Sequence, residues 1–178
     1  MKTVVILNNI RSNENVGSIF RTCDAVGVSK IILIGYTPTP IDRFGRENKG
    51  LTKASLGAEK FVEWEKVESL LIAIESLKNR SSAPVIVAIE QSKNSINYKN
   101  IKVKILDSRI QNLVFVFGNE VGGLSKEDLK LCDLVAEVPM RGAMVRQAHH
   151  PCNMKQGKES LNVAVCVGIV LYSLLNTK

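Results

Sequence analysis

The stretch Val114-Phe115-Val116-Phe117-Gly118-Asn119-Glu120-Val121-Gly122-Gly123-Leu124 decides how this chain folds. Its apolar, β-branched start reads as a buried strand that stops at a glycine. An amide–acid pair follows, and then a Gly-Gly turn. Two later pieces echo it. Ala136-Glu137-Val138-Pro139-Met140-Arg141-Gly142 is a short strand closed by Pro139, and Glu159-Ser160-Leu161-Asn162-Val163 opens an apolar helix. Open α/β sheets hold their ligands where strand ends meet helix starts. The chain order therefore predicts that Gly118, Met140 and Ser160 converge on one crevice.

The rest of the chain supplies the sheet. Thr3–Leu7, Lys30–Ile34 and Val85–Ile89 are short, uninterrupted apolar runs of the fully buried kind, and Leu134–Val138 adds a further strand. Asn8–Asn15 reads as a polar loop. Val16–Val26 carries apolar residues at helical spacing and stops at Gly27. Tyr36–Gly50 is a charged, proline-bearing loop, Phe61-Val62 a short strand, Val67–Leu77 a helix, and Asn79–Pro84 a turn-rich connection. Gln91–Lys104 is polar and irregular. A short helix starts after Ser125, which is placed to cap it. Strand–helix–strand order with apolar strands argues an α/β fold, a mostly parallel sheet with helices on both faces. No internal repeat or second domain interrupts residues 1–178.

The 178 residues suffice for one domain with a real core, and 45% of them are hydrophobic. The net charge of +7 leans toward a polyanionic partner such as nucleic acid. Cys23, Cys132, Cys152 and Cys166 form no Cys-x-x-Cys pair and read as reduced thiols in a cytoplasmic protein. The apolar run at the N-terminus is too short for a signal peptide. Leu161–Leu175 is nearly all apolar yet shorter than a membrane span, so it reads as a helix buried on more than one side. Neither a G-x-G-x-x-G after a strand nor a P-loop is present, so a nucleotide-like ligand needs another mode of binding.

Three constellations carry candidate chemistry. In Asn15-Val16-Gly17-Ser18-Ile19-Phe20-Arg21, Asn15 suits a helix N-cap, and Gly17 leaves the first turn bare for another backbone or a phosphate. In Phe117-Gly118-Asn119-Glu120 with Gly122-Gly123, Gly118 exposes main chain to a ligand and Glu120 enters the crevice. In Ser160-Leu161-Asn162, Ser160 suits a helix start and Asn162 the first turn. Each has a bland reading as capping or turn structure, and the three together are far more specific.

Together they resemble the blocks of the SpoU-type (TrmH) RNA ribose methyltransferases of the SPOUT superfamily. Asn15, Gly17 and Arg21 match the first block. Gly118, Asn119, Glu120, Gly122 and Leu124 match the second, and Val138, Pro139, Met140, Ser160, Leu161 and Asn162 the third. Lys53-Ala54-Ser55-Leu56-Gly57-Ala58 is similar to a further stretch. The resemblance implies a C-terminal deep trefoil knot, S-adenosyl-L-methionine as methyl donor, transfer to a ribose 2′-hydroxyl of tRNA or rRNA, and a homodimer whose sites the partner completes. Gly118, Val138, Met140 and Leu161 would form an apolar adenine slot, with Gln91 near the ribose. Asn15, Glu120, Ser160 and Asn162 would hold Arg21 and the methionine end. Arg21 would act as base or as a phosphate clamp. The clamp agrees with a guanidinium that keeps its proton above about pH 12. Arg43, Arg46, Lys49 and Lys53, with Phe44 among them, form a candidate RNA-contacting loop.

One departure from the family stands out. Residues 143–156 intervene where Met140-Arg141-Gly142 would lead directly to the Ser160 block. His149, His150 and Cys152 fall here. Adjacent histidines point apart on most backbones and no further ligand pair is nearby, so no metal is expected. The alternative function that the insertion raises is an RNA-binding relative with impaired catalysis. Calorimetry with S-adenosylmethionine separates the two.

Overall fold

The computed structural model describes residues 2–79, 83–101, 112–140 and 160–175. Seven strands form one sheet: β1 (Lys2–Asn8), β2 (Lys30–Ile34), β3 (Glu63–Val67), β4 (Val85–Ile89), β5 (Ile96–Asn97), β6 (Asn112–Phe117) and β7 (Leu134–Glu137). Their spatial order is β3-β2-β1-β6-β4-β7-β5, and every described pairing is parallel. The helices are α1 (Asn13–Val26), α2 (Lys49–Ser55), α3 (Leu70–Lys78), α4 (Lys126–Lys130) and α5 (Val163–Leu175).

Strand periodicity sorts the apolar side chains into two cores. Val5, Leu7, Ile31, Leu33, Phe115 and Phe117 pack with Ile19 and Phe20 of α1, Leu51 of α2, and Val167 and Leu171 of α5. The alternate residues Ile6, Ile32, Val114 and Val116 pack with Leu70, Ala73, Ile74 and Leu77 of α3 on the opposite face. The expected parallel sheet with helices on both faces is therefore the observed architecture. An all-parallel sheet sends every post-strand loop to the same edge. The loops after β1, β2, β4, β6 and β7 thus share one rim.

Several local expectations move. α1 begins earlier than Val16, because Ser12 is its N-cap and accepts from the Asn15 N–H at 3.1 Å. Asn15 therefore lies in the first turn, not at the cap. Phe61-Val62 is not a strand. Phe61 is 79% exposed, and β3 starts at Glu63. Among the described residues β3 is an edge strand paired with β2, where Lys30 reaches Glu63 at 2.8 Å and Glu65 at 3.0 Å. Val67 ends β3, and Ser69 caps α3 by accepting from the Ile72 N–H. Asn162 is the cap of α5 and not a first-turn residue. Its side chain accepts from Ala164 and Val165 N–H, and its carbonyl from Cys166 N–H. The polar stretch after β4 contains β5 and a 3₁₀ turn at Tyr98–Asn100.

Gly17 answers a question left open by the sequence. A Cβ there would sit 2.4 Å from the Leu51 carbonyl oxygen and 2.7 Å from the Ala54 Cβ. It is another backbone, that of α2, that the bare turn admits. The knot and the insertion 143–156, with His149, His150 and Cys152, depend on residues 141–159, which lie outside the described residues. No helix among the described residues is long and apolar enough to cross a membrane.

Candidate active site

A cleft of about 290 Å³ opens where β4, β6 and β7 end and α5 begins. Ile89, Phe117, Val138, Leu161 and Val163 give it apolar walls, and the main chain of Gly118, Gly122 and Gly123 forms one side. The sequence makes this side thin for a structural reason. A Cβ on Gly118 would stand 2.6 Å from the Gly123 carbonyl carbon and 2.7 Å from the Leu124 nitrogen. Gly123 has φ +65°, and a Cβ there would meet the Glu90 carboxylate at 2.3 Å. The loop 118–124 is thus folded tightly on itself. The Asn119 side chain accepts from Val121 and Gly122 N–H at 2.8 and 3.0 Å, and its amide donates to the Asn9 carbonyl and the Tyr36 hydroxyl.

Two carboxylates pin this loop. Glu90, just past β4, accepts from Leu124 N–H at 2.8 Å and from Gln91 N–H at 2.9 Å. Glu120 reaches the other way, to the start of α1. It accepts from Arg11 N–H at 3.1 Å, Ser12 N–H at 3.4 Å and the Asn15 side-chain amide at 3.0 Å. Burial works to raise the Glu120 pKa. The hydrogen bonds from Asn15 and from main-chain N–H groups outweigh it and hold the carboxyl below its ordinary range. Asn15 in turn accepts from the Asn162 amide at 2.9 Å. One hydrogen-bonded chain, Glu120–Asn15–Asn162, therefore joins all three sequence blocks.

Of the residues singled out by sequence, Gly118, Glu120, Gln91, Val138, Ser160 and Leu161 line the cleft. Asn15 and Asn162 stand behind it through the chain just described. Met140 is described but is not one of the lining residues. Arg21 is exposed and pairs with none of the described residues. Six residues carry it about 240° around α1 from Asn15, onto the flank where Gly17 meets α2. Glu90 and Glu137 were not anticipated, nor were Cys166 in the wall or the Arg11–Tyr36 pair. Glu90 had one legible signal, an acid directly after a buried apolar strand. Cys166 is a free thiol whose pKa is pushed up to about 11 by burial and then by Glu90.

The cleft's charge is its most telling property. Glu90, Glu120 and Glu137 line it, and no Lys, Arg or His does among the described residues. The protein as a whole carries +7. Among the described residues the lining is thus acidic, on a basic molecule.

An open parallel sheet with an apolar, acid-lined cleft at its strand C-termini defines an α/β protein whose ligand site lies at the strand ends. Residues 2–172 match the SpoU rRNA Methylase family, and the chain belongs to it. It is 32% identical over 169 residues to a tRNA (guanosine(18)-2'-O)-methyltransferase of Aquifex aeolicus, covering 95% of this chain and 66% of that protein. It is similar in structure to the Aquifex aeolicus TrmH/SpoU tRNA modifying enzyme (TM-score 0.70, 30% identity, 98% of this chain and 74% of that one). It also resembles an AdoMet-bound rRNA methyltransferase from Sinorhizobium meliloti (TM-score 0.76, 26% identity, 97% and 55%). The chain spans less than two thirds of the length of the curated relatives it matches.

Proposed function

We propose that this protein is an S-adenosylmethionine-dependent methyltransferase acting on a ribose 2′-hydroxyl of tRNA or rRNA in the cytoplasm. The carrying observation is the acidic lining that the described residues give the cleft of a basic protein. S-adenosylmethionine bears a sulfonium and an ammonium against one carboxylate, so it is attracted where an RNA phosphate is repelled. The apolar walls at Phe117, Val138 and Leu161 suit adenine, with main chain of the 118–124 loop to read its edge. Gln91 and Ser160 line the cleft and would take the ribose and the amino-acid end. When bound, the cofactor supplies an electrophilic methyl group. The protein's share is alignment. Glu120, Asn15 and Asn162 fix the 118–124 loop against α1 and α5, so the sulfur end and the entering ribose keep one geometry.

Arg21 belongs on the RNA side. It is exposed, unpaired among the described residues and outside the cleft, which suits a two-pronged grip on a target phosphate better than proton abstraction. Arg21→Ala should leave melting and S-adenosylmethionine affinity near wild type. Methyl transfer should fall about 30-fold, the worth of a charge-assisted contact of ~2 kcal/mol. A radiolabelled-methyl assay reads this, and undiminished transfer removes Arg21 from the mechanism.

The working form is a homodimer through α5. Val165 and Tyr172 stand two turns apart on one outer stripe, 51% and 47% exposed, while Val163, Val167, Val170 and Leu171 bury the inner one. Sedimentation at micromolar concentration should give a dimer, and Tyr172→Glu should give a monomer. A wild-type monomer contradicts the assembly.

The function itself is tested by nucleoside mass spectrometry of RNA from cells with and without the protein, beside calorimetry with S-adenosylmethionine. Loss of one 2′-O-methylated nucleoside and a saturable cofactor isotherm are expected. RNA binding without cofactor binding would instead give the catalytically impaired relative.

A further inference from the structure

Two arginine–aromatic stacks lie on the same rim as the cleft. In the loop after β2, Phe44 is 65% exposed, with the Arg43 guanidinium 4.7 Å and the Arg46 guanidinium 5.3 Å from its ring centroid. Two like charges drawn to one small ring are not neutralised locally. Neither arginine makes an ion pair among the described residues. Two acids flank the arginines, Asp42 and Glu47; Asp42 spends one carboxylate oxygen on the Phe44 and Arg46 N–H groups, at 2.8 and 2.9 Å, and Glu47 makes no ion pair among the described residues. Those bonds, an Ile41–Glu47 bridge and Gly45 at φ +77° hold the tip in one shape. The tip is tied to the site's own frame, because Asn48 donates to the Asn13 side chain at 2.7 Å at the start of α1.

The second stack is Tyr36 with the Arg11 guanidinium 5.8 Å from its ring centroid. Tyr36 is 54% exposed. Both members are wired to the cleft loop. Asn119 donates to the Tyr36 hydroxyl, and the Arg11 N–H donates to Glu120. Tyr36 and Phe44 are eight positions apart in the chain, so their Cα atoms stand at most about 28 Å apart.

We propose that Tyr36 with Arg11 and Phe44 with Arg43 and Arg46 form a track for a single-stranded RNA segment, on which unpaired bases stack as the strand runs toward the cleft. The inference rests on the function proposed above and adds the RNA form that the site takes. An exposed aromatic ring offers a face on which any base can stack regardless of sequence, and a guanidinium beside it adds a cationic attraction for that base. The same guanidiniums contact phosphates along the strand. A duplex hides its base faces and gains only the charge. The hydrogen bonds within the loop lower the entropy cost of ordering it on RNA.

The test uses the full protein and a labelled 20-nucleotide single-stranded oligoribonucleotide of mixed sequence, alone or annealed to its complement, read by fluorescence anisotropy across a salt series. Wild type should prefer the single strand. Phe44→Ala should weaken single-strand binding about tenfold and leave duplex binding unchanged. Phe44→Leu should behave like Phe44→Ala, and Phe44→Trp should retain binding. Replacing Arg43 and Arg46 by Gln should flatten the salt dependence by about 0.7 per arginine. Equal affinity of wild type and Phe44→Ala, or a wild type that prefers duplex, overturns the track. Calorimetry with S-adenosylmethionine and methylation of bulk tRNA and rRNA separate the failures. Methylation unaffected by Phe44→Ala sinks the track alone, whereas a wild type that binds neither cofactor nor RNA sinks the function as well.

Discussion

Glu120→Ala should cost methyl transfer at least ~100-fold and lower the melting temperature by about 4–8 °C. The reason is the number of groups that lose a partner together. Arg11 N–H, Ser12 N–H and the Asn15 amide all point at this carboxylate. Leaving such donors unsatisfied in a half-buried place costs on the order of 2 kcal/mol. The kinetic loss is larger than the stability loss, because Asn15 also positions Asn162 at the cap of α5. Once Glu120 is gone, the 118–124 loop and α5 no longer share a reference point. Glu120→Gln keeps the size but presents an amide donor to donors, so it should recover little. Acid separates the charge from the shape. A carboxyl whose folded pKa lies below its free value of 4.5 adds stability that is complete above that value and is lost as pH falls through the folded one. The melting gap between wild type and Glu120→Gln should therefore narrow below about pH 4.5. A gap independent of pH would assign the effect to packing alone.

Gly118→Ala should abolish measurable S-adenosylmethionine binding and lower stability by ~1–3 kcal/mol, the usual cost of forcing a methyl into packed structure. The intruding Cβ meets the main chain of Gly123 and Leu124 at 2.6 and 2.7 Å, and main chain has no rotamer to yield. The loop must open, which unseats Leu124 from Glu90 and reshapes the cleft wall. Gly122→Ala is the control for stability, since a Cβ there meets nothing within 4 Å. Equal melting temperatures of the two variants would show that the loop relaxes freely, and that its compact turn is not what shapes the cleft.

How much of this was legible depended on whether burial left a trace in residue type. Lys30–Ile34 and Val85–Ile89 are strands at those bounds because both faces are covered and, past Lys30, every side chain is apolar. β3 gave no such trace. Glu63-Trp64-Glu65-Lys66-Val67 lies at the sheet edge, half in water, and its charges answer Lys30 rather than a hydrophobic pattern. The start of α1 was obscured because Asn13, Glu14 and Asn15 serve caps and the cleft network, not the core. The blocks around Gly118 and Ser160 were readable since glycines and caps mark strand and helix ends. Their partners Arg11, Tyr36 and Glu90 were not, because each is brought in across a long stretch of chain by the sheet order. Position in three dimensions made them relevant, and no local pattern records that.

The placement of β6 beside β1 also governs how the chain comes to be folded. β1 pairs with β2 from its own neighbourhood, but its other edge waits for Asn112–Phe117, more than a hundred residues downstream. During synthesis the β3-β2-β1 half of the sheet can assemble while Val4, Val5, Ile6 and Leu7 still present an unpaired, fully apolar edge. Such an edge is a template for pairing with another nascent chain. Closure of the sheet is then a late, non-local event with a large loop-closure cost, and refolding should be slow for a protein of this length. A chain cut short before β6 has no native way to cover that edge, so it is expected to accumulate as aggregate rather than as a soluble fragment.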